Sequence, residues 1–152
     1  ETVNLLLEHQ QYNLLLYWLR NSLSLTNNII KQIVKSGNLS LYKYLHFKEK
    51  LELNTETMNS AVANGNLETV KWLHENGCLW NELTCAHAAR GGHLEVLQWL
   101  RANGCPWHKV TCQEAARNGH LEVLKWSRDN GCHWDIWVCA HAARGEHLEL
   151  LQ

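Results

Sequence analysis

A repeat with a period of 27 residues is the feature that most constrains the fold of this chain. Four leucines mark it, each 27 positions after the one before: Leu67, Leu94, Leu121 and Leu148. The three clearest copies share the phrase Ala-Ala-Arg-x-x-His-Leu-Glu around the leucine. A fixed period of this size indicates stacked repeats, each of which contacts mainly its neighbours.

Each repeat predicts two helices separated by a tight turn. Residues 110–117 include small residues suited to a helix pressed against a neighbour. Asn118-Gly119 ends this helix, because glycine adopts the left-handed conformation that many helix termini require. A second helix follows His120, with apolar residues at helical spacing and Glu122 in the first turn, where the helix dipole favours a carboxylate. One such hairpin cannot bury its apolar faces alone, so neighbours must stack on it.

The repeated phrase resembles the second half of the ankyrin repeat, in a Trp- and Cys-rich variant found in large DNA viruses of amoebae and in some protists. The resemblance covers residues 57–152 and implies an all-α, ankyrin-like helical solenoid, here of about six helix-turn-helix repeats. The ankyrin period is about 33 residues, and the residues missing here fall after Trp80, Trp107 and Trp134, so we expect shortened finger loops. Residues 83–86 replace the family's Thr-Pro-Leu-His phrase, which puts its Thr–His hydrogen bonds in question.

The chain divides into degenerate N-terminal repeats at 1–55 and regular repeats at 56–152, which together form one continuous solenoid. The helices expected in the first part span residues 1–9, 12–20, 28–35 and 39–46, and a connecting loop begins at Lys48. The regular part begins with a helix around Met58, capped by Asn54 or Thr55. The sequence stops within a second helix and lacks the polar capping repeat of most solenoids. We therefore expect it to be part of a longer array.

Six cysteines form two ladders with the same period. One contains Cys78, Cys105 and Cys132, and the other contains Cys85, Cys112 and Cys139. Members of one ladder should lie about 10 Å apart across packed helices, which is too far for a disulfide bond. A disulfide bond between Cys78 and Cys85, which are closer in sequence, stays an open alternative. We interpret the cysteines as buried apolar residues in a reducing compartment, the cytoplasm or, for a viral protein, the host cell or the virion.

Cysteine and histidine together raise the possibility of a zinc site. The candidate ligands are Cys78, Cys85 and His87, and they recur as Cys132, Cys139 and His141. Structural zinc sites favour four ligands at close spacing, whereas these cysteines are seven positions apart and the middle repeat has Glu114 in place of the histidine. We expect no bound metal and no cofactor.

Catalytic groups are not evident outside the repeat phrase. His93, His120 and His147 stand at the interhelical turns, where we expect them to bond the loop. Paired carboxylates, nucleophile–histidine arrangements and phosphate-binding glycine loops are missing from the pattern. The sequence therefore predicts a protein that is not an enzyme.

Tryptophan recurs at two positions of the repeat. Trp72, Trp99 and Trp126 fall among apolar residues of the second helix and predict packing. The loop residues Trp80, Trp107 and Trp134 are expected to shield the edge of each interface, with contact to a partner as the alternative. Trp137 stands where earlier repeats have Leu83 and Val110, so we expect it to be exposed and available to a partner.

The resemblance implies binding to another protein, because ankyrin arrays typically use the concave face built by first helices and finger loops. The candidate positions change from repeat to repeat or form a charged ladder beside that face. They are Asn81, Glu82, His87, Arg90, His108, Lys109, Gln113, Glu114, Arg117, Asp135, Ile136, Trp137, His141 and Arg144. The alternatives are a structural component of a large assembly such as a virus particle and, less favoured, a Cys/His metal-binding module.

The composition agrees with a protein partner. The formal net charge is −1, which gives no electrostatic reason to expect nucleic acid or an anionic membrane. A run of about 18 apolar residues, the minimum for a membrane span, does not occur.

Overall fold

The computed structural model describes residues 27–49 and 51–144, and nine helices occupy most of these residues. The helices are α1 (Asn27–Lys35), α2 (Leu39–Glu49), α3 (Thr55–Ala63), α4 (Leu67–Glu75), α5 (Thr84–Gly91), α6 (Leu94–Ala102), α7 (Val110–Arg117), α8 (Leu121–Asp129) and α9 (Ile136–Arg144). No strand occurs in the described residues, and the prediction of an all-α repeat solenoid is confirmed. The two helices expected within residues 1–20 lie outside the described residues. None of the described helices is both long and apolar enough to cross a membrane.

The helix bounds follow the local sequence signals closely. Asn54 caps α3, because its side-chain oxygen accepts a hydrogen bond from the backbone N–H of Thr57 at 2.9 Å. The prediction for α2 is wrong at its C-terminal end, since the helix continues to Glu49 through residues expected to begin a loop. Lysine and glutamate are good helix formers, and neither glycine nor proline interrupts the segment.

The turn inside each hairpin has the same geometry in successive repeats. Gly119 has a φ of 74° and donates its backbone N–H to the carbonyl of Ala116, while His120 donates to that of Ala115 at 2.9 Å. These two bonds form a Schellman motif, which satisfies the last carbonyl groups of the first helix. Gly92 and Gly65 adopt the same left-handed conformation one and two periods earlier, respectively.

The stack is closest along the first helices α1, α3, α5, α7 and α9, which pack consecutively against one another. Paired alanines such as Ala88-Ala89 and Ala115-Ala116 are fully buried there, and their small side chains permit the close approach. Among the second helices, α4 and α6 pack less closely. The first helices therefore form the more closely packed row of the array. Buried residues form one cluster from Ile29 to Ala142, and the division at 55/56 stays a prediction.

The residue after each turn glycine ties its unit to the preceding one. Asn66 donates to the carbonyl of Val34 at 2.7 Å, and the Nε2 of His93 lies 3.1 Å from the carbonyl of Ala63. The imidazole must donate here, because a carbonyl oxygen can only accept. His120 contacts the carbonyl of Arg90 in the same way at 3.0 Å. These turn residues precede the second helices without capping them through their side chains. The turn histidines therefore link neighbouring repeats.

Tryptophan side chains pack along the second helices and the loops that follow them. Trp72, Trp99 and Trp126 pack against the core, as predicted. The loop residue Trp107 lies 6.0 Å from the ring of Trp126 in the next unit, and the guanidinium of Arg101 lies 4.3 Å from its ring centroid. Such aromatic and cation–π contacts add to the free energy of burial.

Candidate functional site

The loops before the first helices form one side of the predicted interaction surface. Asn81 is exposed, and its side-chain oxygen accepts a hydrogen bond from the backbone N–H of Leu83 at 3.0 Å. Asp135 occupies the equivalent position two periods later and accepts from the N–H of Trp137 at 3.1 Å. His108 occupies the same repeat position in the unit between them and is exposed. These loop residues therefore start the helices as well as line the surface.

The helix start differs from the one that the ankyrin phrase implies. The hydroxyl of Thr84 donates to the side-chain oxygen of Asn59 at 2.9 Å and lies 3.4 Å from that of Asn81. One period later the hydroxyl of Thr111 is buried without a hydrogen-bond partner, because Ala86 replaces the asparagine. In place of the histidine of the ankyrin phrase, the asparagine Asn59 is the hydrogen-bond partner of Thr84. Thr111 has no such partner, because the preceding repeat has alanine at that position.

Three of the predicted residues form a polar cluster between α7 and α9. The amide nitrogen of Gln113 lies 3.0 Å from a carboxylate oxygen of Asp135, and the Nζ of Lys109 lies 3.5 Å from the same oxygen. Desolvation raises the pKa of Asp135, but hydrogen bonds from Gln113 and the backbone of Trp137, together with the charge of Lys109, outweigh it and lower the pKa. The carboxylate therefore stays ionised and orients two side chains along the surface.

Glu114 lies inside the stack, contrary to the prediction that it faces a partner. The residue is 7% exposed, and its carboxylate lies 2.8 Å from the Nε of Arg90 on α5 and 3.4 Å from Arg117 on α7. Charged pairing of this kind offsets the cost of burying a carboxylate. Glu114 joins two units, while both arginines keep about half of their side-chain surface exposed. His87, one period earlier, is half-buried, and burial followed by the charge of Arg90 lowers its pKa.

Ile136 and Trp137 form an exposed apolar pair at the start of α9. Ile136 is 80% exposed and Trp137 is 56% exposed. Exposure recurs at the position of Ile136, where Glu82 and Lys109 are also exposed. At the position of Trp137, Leu83 is 45% exposed and Val110 is partly buried. The pair lies on an open depression of about 460 Å³. The depression is lined by His133, Trp134, Asp135, Ile136, Trp137 and Cys139.

The other predicted surface residues are at or near the ends of first helices. Glu82 and Arg144 are exposed. His141 lies on α9, but its side chain lies outside the described residues. Contact of any of these residues with a partner stays a prediction.

The cysteines do not form a metal site in the part of the chain that the structure describes. No group of three or more potential metal ligands occurs there, and all six cysteines are free. Cys85 contacts Cys105 rather than Cys78, with 3.6 Å between the sulfur atoms. This pairing was not predicted, although the two ladders have a constant offset of 20 residues in the sequence.

Comparison with known families agrees with this architecture. A family model described as ankyrin repeats (many copies) matches residues 58–101 and 85–126. The chain is an ankyrin-repeat protein. Ankyrin repeats generally mediate protein–protein interaction, and the family is typically non-enzymatic. No curated protein matches the chain.

Proposed function

We propose that this chain is a non-enzymatic scaffold that binds another protein through its first helices and the loops before them, with Ile136 and Trp137 at the centre of the contact. The observation that carries the proposal is the pair of apolar side chains at exposed repeat positions. Glu82 and Lys109 hold the first of these positions in earlier units. Exposed apolar patches with a polar rim are characteristic of interaction sites.

The surroundings of the pair define the chemistry of the partner. Asp135, Lys109 and Gln113 form a polar rim on one side. An open depression suits an inserted aliphatic or aromatic side chain, and tryptophan is among the residues that contribute most to binding free energy. The partner should therefore present an apolar side chain flanked by groups that hydrogen-bond to a carboxylate and an ammonium group.

The experiment replaces the pair with residues that the repeat itself uses. Ile136→Glu introduces the residue of position 82, and Trp137→Leu introduces that of position 83. The repeat tolerates both residues at these positions, so the double variant should keep its helicity. A matched control is Leu79→His, because Leu79 is 73% exposed and histidine occupies the equivalent position 133.

Affinity capture with the native chain, the double variant and the control would be compared by quantitative mass spectrometry, followed by calorimetry with each recovered protein. We expect a partner that the native chain and the control retain and that the double variant binds at least about tenfold more weakly, since central anchors contribute about 2 kcal/mol or more. Equal binding by the native chain and the double variant would place the contact on another face.

A structural role in a large assembly, such as a virus particle, is the second candidate. Cys139 and Ala143 are exposed on α9, whereas the equivalent residues Cys112 and Ala116 on α7 are buried. Such a face suits a further helical unit or a neighbouring subunit. Recovery of a discrete soluble partner favours the scaffold, whereas recovery of the chain only with an intact assembly favours the structural role. We also propose a reducing compartment, such as the cytoplasm of a cell or of an infected host.

A further inference from the structure

Two pairs of buried thiols join the cysteine ladders within the stack. Cys85 on α5 donates a hydrogen bond to the sulfur of Cys105, with 3.6 Å between the two atoms and both residues fully buried. Cys112 on α7 and Cys132 occupy the equivalent positions one period later, and both of these residues are also buried. Each pair therefore places a helix thiol against a loop sulfur 20 residues later.

The position of each pair in the repeat favours a covalent bond. The helix cysteine is held in the row of first helices, whereas Cys105 lies in the loop after α6. Gly104 precedes it with a φ of +83°, and no other atom lies within 4 Å of where its Cβ would be. The sulfur atoms must move from 3.6 Å to a bond length of about 2.05 Å. A loop with open space beside it can supply such a movement more readily than a packed helix.

We propose that Cys85–Cys105 and Cys112–Cys132 are oxidation sites, at each of which hydrogen peroxide converts two buried thiols into a disulfide bond. The thiolate of the loop cysteine attacks one peroxide oxygen, the O–O bond breaks, and a sulfenic acid and water form after proton uptake. The helix thiol then attacks the sulfenic sulfur, its proton leaves with the departing hydroxyl group as water, and the S–S bond forms. Two thiols are oxidised and one peroxide is reduced to two water molecules.

The electrostatics of each pair agree with this order of steps. The hydrogen bond from Cys85 lowers the pKa of Cys105, although burial opposes the shift. The same hydrogen bond, together with burial, raises the pKa of Cys85. Cys132 and Cys112 repeat this difference. The loop sulfur is therefore the better nucleophile, and the helix thiol stays protonated until it resolves the sulfenic acid.

A bond at either site would restrain a loop of the candidate surface. Cys105 stands three positions before His108, and its thiol points towards the carbonyl of Asn81 at 3.8 Å. Cys132 stands three positions before Asp135, and its thiol points towards the carbonyl of His108 at 3.8 Å. Oxidation would remove these thiol donors and fix each loop to the preceding first helix. The inference stands independently of the proposed function, because the pairs lie in the core.

The repeat supplies two internal controls. Cys78 belongs to the loop ladder, but Met58 stands 20 residues before it, where the other units have a cysteine. Burial raises the pKa of Cys78 to about 11, so it should remain an unreactive thiol. Cys139 belongs to the helix ladder and is exposed. Oxidation that depended on exposure alone would affect Cys139 first. Formation of a bridge instead requires two cysteines at the paired positions.

The experiment treats the reduced, folded chain with hydrogen peroxide, blocks remaining thiols with N-ethylmaleimide in denaturant, and maps tryptic peptides without reduction. Arg90 and Arg101 separate the cysteines of the first pair, and Arg117 and Arg128 lie between those of the second. Residues 72–90 contain both Cys78 and Cys85, and residues 129–144 contain both Cys132 and Cys139, so fragmentation of each linked peptide assigns the bridged cysteine. We expect two cross-linked peptide pairs, each lighter by two hydrogen atoms and each separated by dithiothreitol. Recovery of the four paired cysteines as thiols or as sulfinic acids, at a dose that fully oxidises Cys139, would overturn the proposal. So would indiscriminate bridges that include Cys78.

Two variants keep the result independent of folding defects. Cys105→Ser should abolish the first bridge and leave the second. Met58→Cys should create a third bridge, to Cys78, because Met58 is fully buried at the position of Cys85 and the sulfur of Cys78 is placed like that of Cys105: it lies 3.2 Å from the carbonyl of Asn54, as the sulfur of Cys105 lies 3.8 Å from that of Asn81. A gain of one specific bridge cannot arise from misfolding. Helicity measured by circular dichroism confirms that the variant is folded, and failure of a folded Met58→Cys chain to form that bridge would contradict the geometry.

Discussion

Ser127 interrupts a column of leucines in the core, and restoring the leucine should stabilise the protein. Leu73 and Leu100 occupy the equivalent positions and are fully buried. Ser127 is also fully buried, and its hydroxyl has no hydrogen-bond partner. Its carbonyl accepts the backbone N–H of Cys132 at 2.9 Å, as the two leucine carbonyls do one unit and two units earlier. The backbone therefore holds a leucine-shaped position with a small polar side chain in it.

The expected gain for Ser127→Leu can be worked out from this environment. Leucine adds three carbon atoms in place of the hydroxyl, which at about 0.8 kcal/mol for each buried CH₂ gives about 2.4 kcal/mol. Removing a buried hydroxyl without a partner contributes a further ~1–3 kcal/mol. Overpacking, where α8 has closed around the smaller side chain, opposes these terms by about 1–3 kcal/mol. We therefore expect the free energy of unfolding to rise by about 2 kcal/mol.

Urea unfolding followed by far-ultraviolet circular dichroism tests this value. With a slope of about 2 kcal/mol per molar urea, the midpoint should rise by about 1 M. Ser127→Ala separates the two contributions, since it removes the hydroxyl without filling space and should raise stability by about 1 kcal/mol. The reverse change, Leu100→Ser, should lower it by about 4 kcal/mol. A midpoint for Ser127→Leu at or below that of the native chain would show that the position no longer has room for leucine.

Three further changes test the contacts between units. His93→Ala should cost about 1 kcal/mol in urea unfolding because its link to the preceding unit is lost, whereas His93→Asn should cost less, since Asn66 makes the same link in its own unit. Glu114→Gln should cost about 1–3 kcal/mol, and the loss should be smaller at high salt because ion pairs are screened. The pKa of Asp135 should lie below its ordinary value in an NMR titration and rise towards it in Gln113→Ala. Because this pKa is lowered on folding, the associated stability is present above the ordinary carboxyl pKa and is lost as pH falls through the folded pKa; an unshifted titration would contradict the observed hydrogen bonds.

The sequence alone predicted those features that depend on neighbours along the chain. Helix α7 and its turn at Asn118-Gly119 follow from side-chain size and glycine conformation, and they occur where expected. The burial of Glu114 was not predictable in this way. A charged residue at a variable position reads as exposed, and only the stacking of α5 on α7 brings Arg90 within 2.8 Å of it. The thiol pairs were missed for a similar reason, because the period gives the spacing within each ladder but not which ladders meet.

Departures from the repeat locate the features that a consensus cannot explain. Wherever the frame is kept, a residue's role follows from its equivalents, as with Leu73 and Leu100 in the core. Ser127 departs from that column, and we expect the departure to lower stability. Ile136 and Trp137 also depart from their equivalents, since Glu82 and Lys109 are charged and Leu83 and Val110 are smaller. Since the stability of a stacked array depends mainly on contacts between neighbouring units, a weakened core at α8 affects chiefly the units that border it. Ser127 lies a few residues before the exposed pair Ile136 and Trp137, so binding of a partner to that pair would stabilise the units that Ser127 is expected to weaken.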